Sequence, residues 1–358
     1  MALTAPKGNH YHIAQWLPDN QQVLIAEDLD GSYVYQNDTI PQQSISLYNA
    51  VTGASKVYAI RPYNNEPPSW QPALNAVVYR ASSYSSIDKA HNTWNFTDQL
   101  WVSHGDPNAA QKLADNLSQF PLGVRPDGSE MIYRSDNKIS GLDKSLKAIP
   151  SVSFDPTQWD YAKERRNSRP LSFQMAWQPG TSLAFLYSPA NGDGGYTFIL
   201  NTDTGRVCEL NLGGWAVLAH WSSDGRYLAF VRSIRYFFPT FSADLTVLDT
   251  MTGNIKVLSV IPQGIQGHHF ADDFAWAPDN RHLAVIGAID LSPDTPDETG
   301  LYLVDPVSGQ SIKIDSTYNF DEPPNSIAWS ADGLKLAVFC YTPGVRGICL
   351  ITVRKTEQ

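Results

Sequence analysis

Apolar runs of strand length alternate with polar turns along the whole chain, and no apolar stripe of helical period and useful length interrupts them. The runs are ordered by a recurring cassette: an aromatic residue, a tight turn rich in Pro, Asp, Asn and Gly, then the opening of a hydrophobic strand. It reads Trp16-Leu-Pro-Asp-Asn, Trp70-Gln-Pro, Val124-Arg-Pro-Asp-Gly, Trp177-Gln-Pro-Gly, Trp221-Ser-Ser-Asp-Gly, Trp276-Ala-Pro-Asp-Asn and Trp329-Ser-Ala-Asp-Gly. Taking the aromatic position as origin, with valine in the third copy, the copies are 54, 54, 53, 44, 55 and 53 residues apart. Asp or Asn before Gly or Asn tolerates positive φ, so each cassette predicts a hairpin turn. The strand after it opens at Val23, Val77, Met131, Leu183, Leu228, Leu283 and Leu336.

Each unit carries further runs. Ile45-Ser-Leu-Tyr, Leu100-Trp-Val, Phe198-Ile-Leu, Leu245-Thr-Val-Leu, Leu301-Tyr-Leu-Val and Ile348-Cys-Leu-Ile predict a third strand, and turns at Gly53, Gly205, Gly253 and Gly309 lead into short fourth strands. Four strands per unit at this period predict an all-β fold: a seven-bladed β-propeller of four-stranded antiparallel blades, forming one domain over residues 1–358. The seventh unit ends before a fourth strand. The interval that precedes other cassettes places Met1–Ala5 as the outer strand of the last blade, which would leave no open edge there.

Composition narrows the partners. The formal net charge is -10, an acidic balance that repels phosphate backbones and argues against nucleic acid. The apolar runs are too short to span a membrane, and the first residues lack the apolar core of a signal peptide. The polar, Lys-poor composition leans towards an extracytoplasmic protein, a monomer or part of a longer chain. Cys208, Cys340 and Cys349 make no disulfide framework. Cys340 and Cys349 fall on neighbouring strands of the last blade and are expected to be buried as free thiols, a cross-strand bond being the alternative.

Trp221-Ser-Ser-Asp-Gly-Arg-Tyr-Leu-Ala-Phe, Trp276-Ala-Pro-Asp-Asn-Arg-His-Leu-Ala-Val and Trp329-Ser-Ala-Asp-Gly-Leu-Lys-Leu-Ala-Val resemble the repeat of TolB-type, WD-like propellers. Ala2-Leu-Thr likewise resembles the outer strand that precedes a new blade in that family. The resemblance covers nearly the whole chain and implies the fold. For function it implies a set of roles: protein-binding platforms, sensor domains, substrate-gating domains of serine peptidases, and occasionally lyases. The chain departs from TolB in lacking the separate N-terminal domain and in having seven units where TolB has six.

Catalytic signatures are missing from the sequence. There is no Gly-x-Ser-x-Gly nucleophile elbow, no Gly-x-Gly-x-x-Gly and no Walker phosphate loop. Asp28-Leu-Asp-Gly-Ser and Asn191-Gly-Asp-Gly-Gly lack the closing Glu of a calcium loop and read as polar turns. Candidates then come from the rim where first strands begin, four to eight residues before each cassette. These are His10 and His12, Glu66, Arg169 and Phe173, Trp215, His268, His269 and Asp272, and Asp321 and Glu322. Closing the ring places blades six, seven, one and two side by side, so four of the eight histidines share one arc with carboxylates. His10 and His12, spaced by two on a strand, share a face and suit a divalent metal; His268, His269, Asp321 and Glu322 would complete such a site. The alternative is that these groups solvate a channel mouth, with no cofactor.

Aromatic residues crowd the expected rim loops: Tyr33 and Tyr35 in the first unit, Tyr84, Trp94 and Phe96 in the second, Tyr236 and Phe237 in the fifth beside Arg232 and Arg235. Rings on such loops stack on sugars or form an apolar patch, unless the loops bury them. Residues 150–171 form the longest insertion. The pattern predicts a non-catalytic module binding a protein, peptide or carbohydrate at the rim. The competing reading is a metal-assisted lyase or hydrolase on the His/carboxylate arc.

Overall fold

The tight turns of the cassette close the first hairpin of every blade in the computed structural model. It describes residues 11–35, 38–62, 67–88, 93–117, 123–125, 128–135, 138–153, 174–187, 197–210, 212, 215–233, 243–258, 268–290, 298–314, 319–320, 326–342 and 345–353. The fold is an all-β, seven-bladed propeller, with no α-helix and two short 3-10 turns among the described residues.

Blade 1 orders Tyr11–Trp16, Gln22–Tyr35, Asp38–Asn49 and Ser55–Pro62 from first strand to fourth. Blade 2 has Ser69–Gln71, Ala76–Asp88, Thr93–Ser103 and Gln111–Leu117. Blade 3 has Gly123–Val124, Glu130–Ser135, Lys138–Asp143 and Ala148–Ser153. Blade 4 has Gln174–Trp177, Leu183–Tyr187, Thr197–Asn201 and Val207–Glu209. Blade 5 has Trp215–Trp221, Tyr227–Ser233, Ala243–Asp249 and Ile255–Leu258. Blade 6 has His268–Trp276, Leu283–Asp290, Glu298–Val304 and Ser311–Ile314. In blade 7 the first position is shared by Asn319–Phe320 and Ile327–Trp329, which both pair with Lys335–Thr342, and Val345–Thr352 follows. The segment expected to close this blade, Met1–Ala5, lies outside the described residues.

Second strands start within one residue of their predicted openings. Val23, Val77, Leu228, Leu283 and Leu336 are fully buried there, each burial contributing roughly 1.5–3 kcal/mol. The hairpins of blades 1 and 2 depart from expectation. Tyr33 and Tyr35 lie within Gln22–Tyr35, not in a loop after it. Tyr84, Trp94 and Phe96 belong to one long ladder running from Val77 opposite Ser103 to Asp88 opposite Thr93. Aromatic and β-branched residues favour an extended pleated backbone, so these hairpins continue well past the five residue pairs of blade 4.

The chain divides into two compact units, residues 1–30, 43–57 and 217–358 in the first and 31–42 and 58–216 in the second. In the first, hydrophobic layers fill the space between consecutive blades. Val231, Leu245, Phe274 and Val285 pack blade 5 on blade 6. Ile286, Leu301, Val338 and Cys340 pack 6 on 7, and Phe339 and Ile348 meet Ile13, Trp16 and Val23 between 7 and 1. In the second, blades 2 and 3 share Leu100, Val102, Met131 and Leu142, and blades 3 and 4 share Ile132, Trp177 and Leu186.

The cassette tryptophans tie these layers together. The Trp276 indole N–H donates to the His220 carbonyl (3.0 Å), Trp329 to Ala275 (3.2 Å) and Trp16 to Ala328 (2.9 Å). Each acceptor is the residue just before the tryptophan of the preceding blade, so one bond is repeated three times. The last of these joins blade 1 to blade 7 across 312 residues of sequence. In the second unit the preceding copy has Val124, and Trp177 donates instead to Thr181 O of its own turn (3.2 Å) while the Arg125 guanidinium covers its ring at 4.7 Å.

The turns interlock too. Asn20 and Asn280 take positive φ, 54° and 57°. Asn280 Oδ1 accepts from Ser223 N (2.7 Å) and Ser223 Oγ (2.8 Å) in the blade 5 turn, and Asn20 Oδ1 accepts from Asp332 N (3.0 Å) in the blade 7 turn. Lys335 Nζ adds a bond to Asn20 O and lies over the Trp16 ring.

Cys340 and Cys349 overturn the expectation of free thiols: they form a disulfide, with Cα atoms 5.8 Å apart. Cys340 pairs with Gly347 and Cys349 with Val338, which sets the cysteines diagonally on one face of the hairpin. Gly347 leaves no side chain opposite Cys340.

The double role of the turn asparagines is open to measurement. Replacing Asn280 by Gly keeps positive φ and loses the bonds to Ser223, for about 1 kcal/mol. Asn280→Ala loses both and costs about 2 kcal/mol. Urea unfolding is expected to order the proteins wild type, Gly variant, Ala variant; equal stability of wild type and Gly variant removes the interlock.

Candidate binding face

Antiparallel order gives each blade two different ends. At one end lie the cassette turns and the turns from third strand to fourth. Within blades these bond to one another: Ala50 N donates to Gln21 O (2.7 Å), Thr202 N to Ser182 O (2.7 Å) and Thr250 N to Arg226 O (3.0 Å). At the other end lie the starts of first strands and the tips of the hairpins from second strand to third.

The turn end consumes its own polar groups. Asp19 Oδ1 accepts from Gln21 N and Gln22 N, and Asn49, Asn201 and Asp305 each accept two backbone N–H groups of their own turns. At Asp332 the Ser330 hydroxyl and the Leu334 N–H hold the carboxyl below its usual range, and the Arg226 guanidinium does the same at Asp249. Exposed apolar residues sit there singly, Val51 (66%), Met251 (78%) and Val307 (69%) at the same position of the blade 1, 5 and 6 turns. Isolated exposed residues of this kind are ordinary surface.

At the strand-start end, blades 6, 7 and 1 lie side by side through the tryptophan bonds. His12 is half-buried on the first strand of blade 1, opposite Ala26. His268 and His269 open the first strand of blade 6, opposite Asp290 and Ile289, and Asp272 is the extra residue of a bulge between Ala271 and Asp273. His12 thus stands on the first strand of blade 1, and His268, His269 and Asp272 on that of blade 6. Trp215 opens the first strand of blade 5. His10, Glu66, Arg169, Phe173, Asp321, Glu322, Tyr236 and Phe237 lie outside the described residues, as does most of the 150–171 insertion, of which residues 150–153 are strand. The described side chains of the metal candidates are therefore those of His12 alone.

Three polar groups under this end escaped the sequence reading. Asp273, 1% exposed, accepts from Ser326 N (2.5 Å), Ser326 Oγ (2.9 Å) and Phe274 N (2.8 Å). Asp273 and Ser326 stand three residues before Trp276 and Trp329, so they join blades 6 and 7 at matching positions. Such donors stabilise a buried carboxylate. His220 packs edge-on against Phe274, ring centroids 5.2 Å apart, and burial pushes its pKa down to about 4. Gln43 is fully buried and donates to Asp28 Oδ1 (2.9 Å). Asp273 and Ser326 thereby join blade 6 to blade 7, and His220 packs blade 5 on blade 6.

The second unit has a buried charged group of its own. Arg80 pairs with Asp98, Ser82 Oγ donates to Asp98 Oδ1 (2.7 Å), and Arg61, 1% exposed, donates to Arg80 O (2.6 Å). Burial beside it pushes the Tyr79 pKa up to about 12, against the opposing pull of Arg61. Charges so enclosed tie strands together and do not meet solutes. The hairpin tip 31–42, with Tyr33 and Tyr35, falls in the same compact unit as the blade 2 hairpin that carries Tyr84, Trp94 and Phe96.

No family model matches the chain, and no curated protein matches it. Solved structures do. The β-propeller domain of Cps50 (Swd1) from Myceliophteria thermophila aligns with TM-score 0.58 at 10% identity, over 98% of this chain and 99% of that one. The β-propeller domain of the Trilobed protease from Pyrococcus furiosus, described as having an open velcro topology, aligns with TM-score 0.55 at 11% identity, over 97% and 94%. TolB from Acinetobacter baumannii gives TM-score 0.43 at 13% identity, over 90% and 76%. The likeness to the first two is one of fold.

His220 makes the junction of blades 5 and 6 acid-sensitive. Its folded pKa of about 4 lies below the unfolded value of 6.5. The unfolded chain therefore binds the proton first, and stability present above that value is lost as pH falls, by about 2.5 kcal/mol at about pH 4.5. His220→Leu is expected to flatten this dependence. Thermal unfolding of both proteins at about pH 7.5 and about pH 4.5 checks it: an unchanged pH difference in the variant rejects the assignment.

Proposed function

We propose that this chain is a non-catalytic binding module that takes a protein, peptide or carbohydrate ligand at the strand-start end of its blades. The observation that carries this reading is the chemical contrast between the two ends. Turn asparagines and aspartates are engaged by groups of the turns themselves, whereas in the second unit two long hairpins carry a run of aromatic positions at the other end. Aromatic rings contribute large contact areas at low entropic cost. Within the second unit Tyr33, Tyr35, Tyr84 and Trp94 are the positions suited to stacking on a sugar or peptide; within the first, His12, His268, His269 and Asp272 are of types suited to hydrogen bonding. The bonds of Asp273 to Ser326 and Phe274 hold the strand of blade 6 on which His268, His269 and Asp272 stand.

Glycan and peptide arrays test the reading with three proteins: wild type, Tyr35→Ala/Trp94→Ala at the proposed face, and Met251→Ser/Val307→Ser at the turn end. The expected result is a discrete ligand, retained by the turn-end variant and weakened at least about tenfold by the other, with equal melting temperatures. Loss confined to the turn-end variant rejects the face. Conversion of the bound ligand to product, with stoichiometric zinc, manganese or iron in the purified protein, replaces the reading with a metal-assisted enzyme.

A further inference from the structure

The disulfide of blade 7 is buried. Cys340 and Cys349 are 1% and 5% exposed, packed among Ile286, Leu301, Phe320 and Val338 in the layer between blades 6 and 7. The opposite face of the same two strands presents Phe339 and Ile348 to Ile13 and Trp16 of blade 1. Lys335, on the strand of Cys340, bonds Asn20 O of the blade 1 turn. The hairpin that the bond crosses is therefore the seat of both neighbouring blades. The third cysteine, Cys208, is exposed and free on the fourth strand of blade 4, an internal control for thiol chemistry.

We propose that Cys340–Cys349 is a structural lock, made while blade 7 is still accessible and then enclosed by blade 6, and that the chain consequently folds in an oxidising, extracytoplasmic compartment. Once the layer closes, an oxidant cannot approach either sulfur, so oxidation precedes docking. The oxidant is a disulfide, carried by a protein or a small thiol. One cysteine thiolate attacks it and forms a mixed disulfide, releasing the first oxidant thiolate. The second cysteine thiolate then displaces the other, so that the pair loses two protons and two electrons and the oxidant's disulfide becomes two thiols. A reducing cytosol disfavours formation of such a bond before docking, whereas the periplasm, secretory lumen and cell exterior favour it.

Iodoacetamide labelling and intact-mass measurement decide the matter. Protein from the organism that makes it, denatured without reductant, is expected to take one label, on Cys208; three labels overturn the proposal. Native protein incubated with dithiothreitol is expected to keep one label until denaturant is added, and three labels without denaturant overturn the enclosure. The double variant Cys340→Ala/Cys349→Ala is expected to raise the unfolding equilibrium constant about 50-fold, with Cys208→Ala as the neutral reference. A change under about threefold overturns the structural role. Should the double variant fail to fold, reduced wild-type protein refolded with and without oxidised glutathione gives the same reading, and equal yields overturn it.

Discussion

One hydrogen bond, from the indole of a cassette tryptophan to the carbonyl just before its counterpart in the preceding blade, sets how the blades of the first unit stack. Because donor and acceptor hold fixed positions in the repeat, each bond imposes the same stagger on the next pair. Its net worth is only about 1 kcal/mol. The layers of Val, Leu, Ile and Phe between blades supply the larger driving force, but apolar contact alone tolerates sliding. A buried carbonyl left without its donor costs more than the bond returns, so the tryptophan selects one register from the many that the hydrophobic layers would accept. Asn20 and Asn280 repeat the selection at the turns.

The same logic explains what could be read from the chain unaided. Trp, the turn residues and the first apolar residue of each second strand recur because each blade needs the same clasp, turn and core, and they located the second strands to within a residue. The asparagines were legible only as residues that tolerate positive φ. Their partners, Ser223 and Asp332, lie in a different copy of the repeat, and no local pattern couples the two. The long hairpins of blades 1 and 2 were hidden differently: serines and charged residues interrupt Ala76–Asp88 and mimic a loop, while the ladder with Thr93–Ser103 keeps the backbone extended.

Candidate site residues were legible as positions but not as roles. Counting back from Trp276 singled out Asp272, yet it is the next residue, Asp273, that lies buried and joins blade 6 to blade 7 through Ser326. A bulge displaces the face of a strand by one residue, and nothing in the spacing of the cassettes announces it. Arg61, Arg80 and Asp98 carry no local mark of burial, since charged side chains are mostly exposed. Their enclosure depends on strands brought together by the fold, beyond the reach of composition.

The buried polar groups also bear on where change is tolerated. Asp273, Ser326, Gln43 and the Arg80–Asp98 pair each need a specific partner, and losing one partner leaves a desolvated group behind. Substitution there acts first on stability. The turns are constrained as well, because positive φ and Asx bonds leave few alternatives at each position. The tryptophan bonds and the turn bonds lie at the opposite end of the strands from the tips of the hairpins between second and third strands, so they fix the blades from one end. A scaffold clasped in this way holds its register through the turn end, where the cassette tryptophans lie.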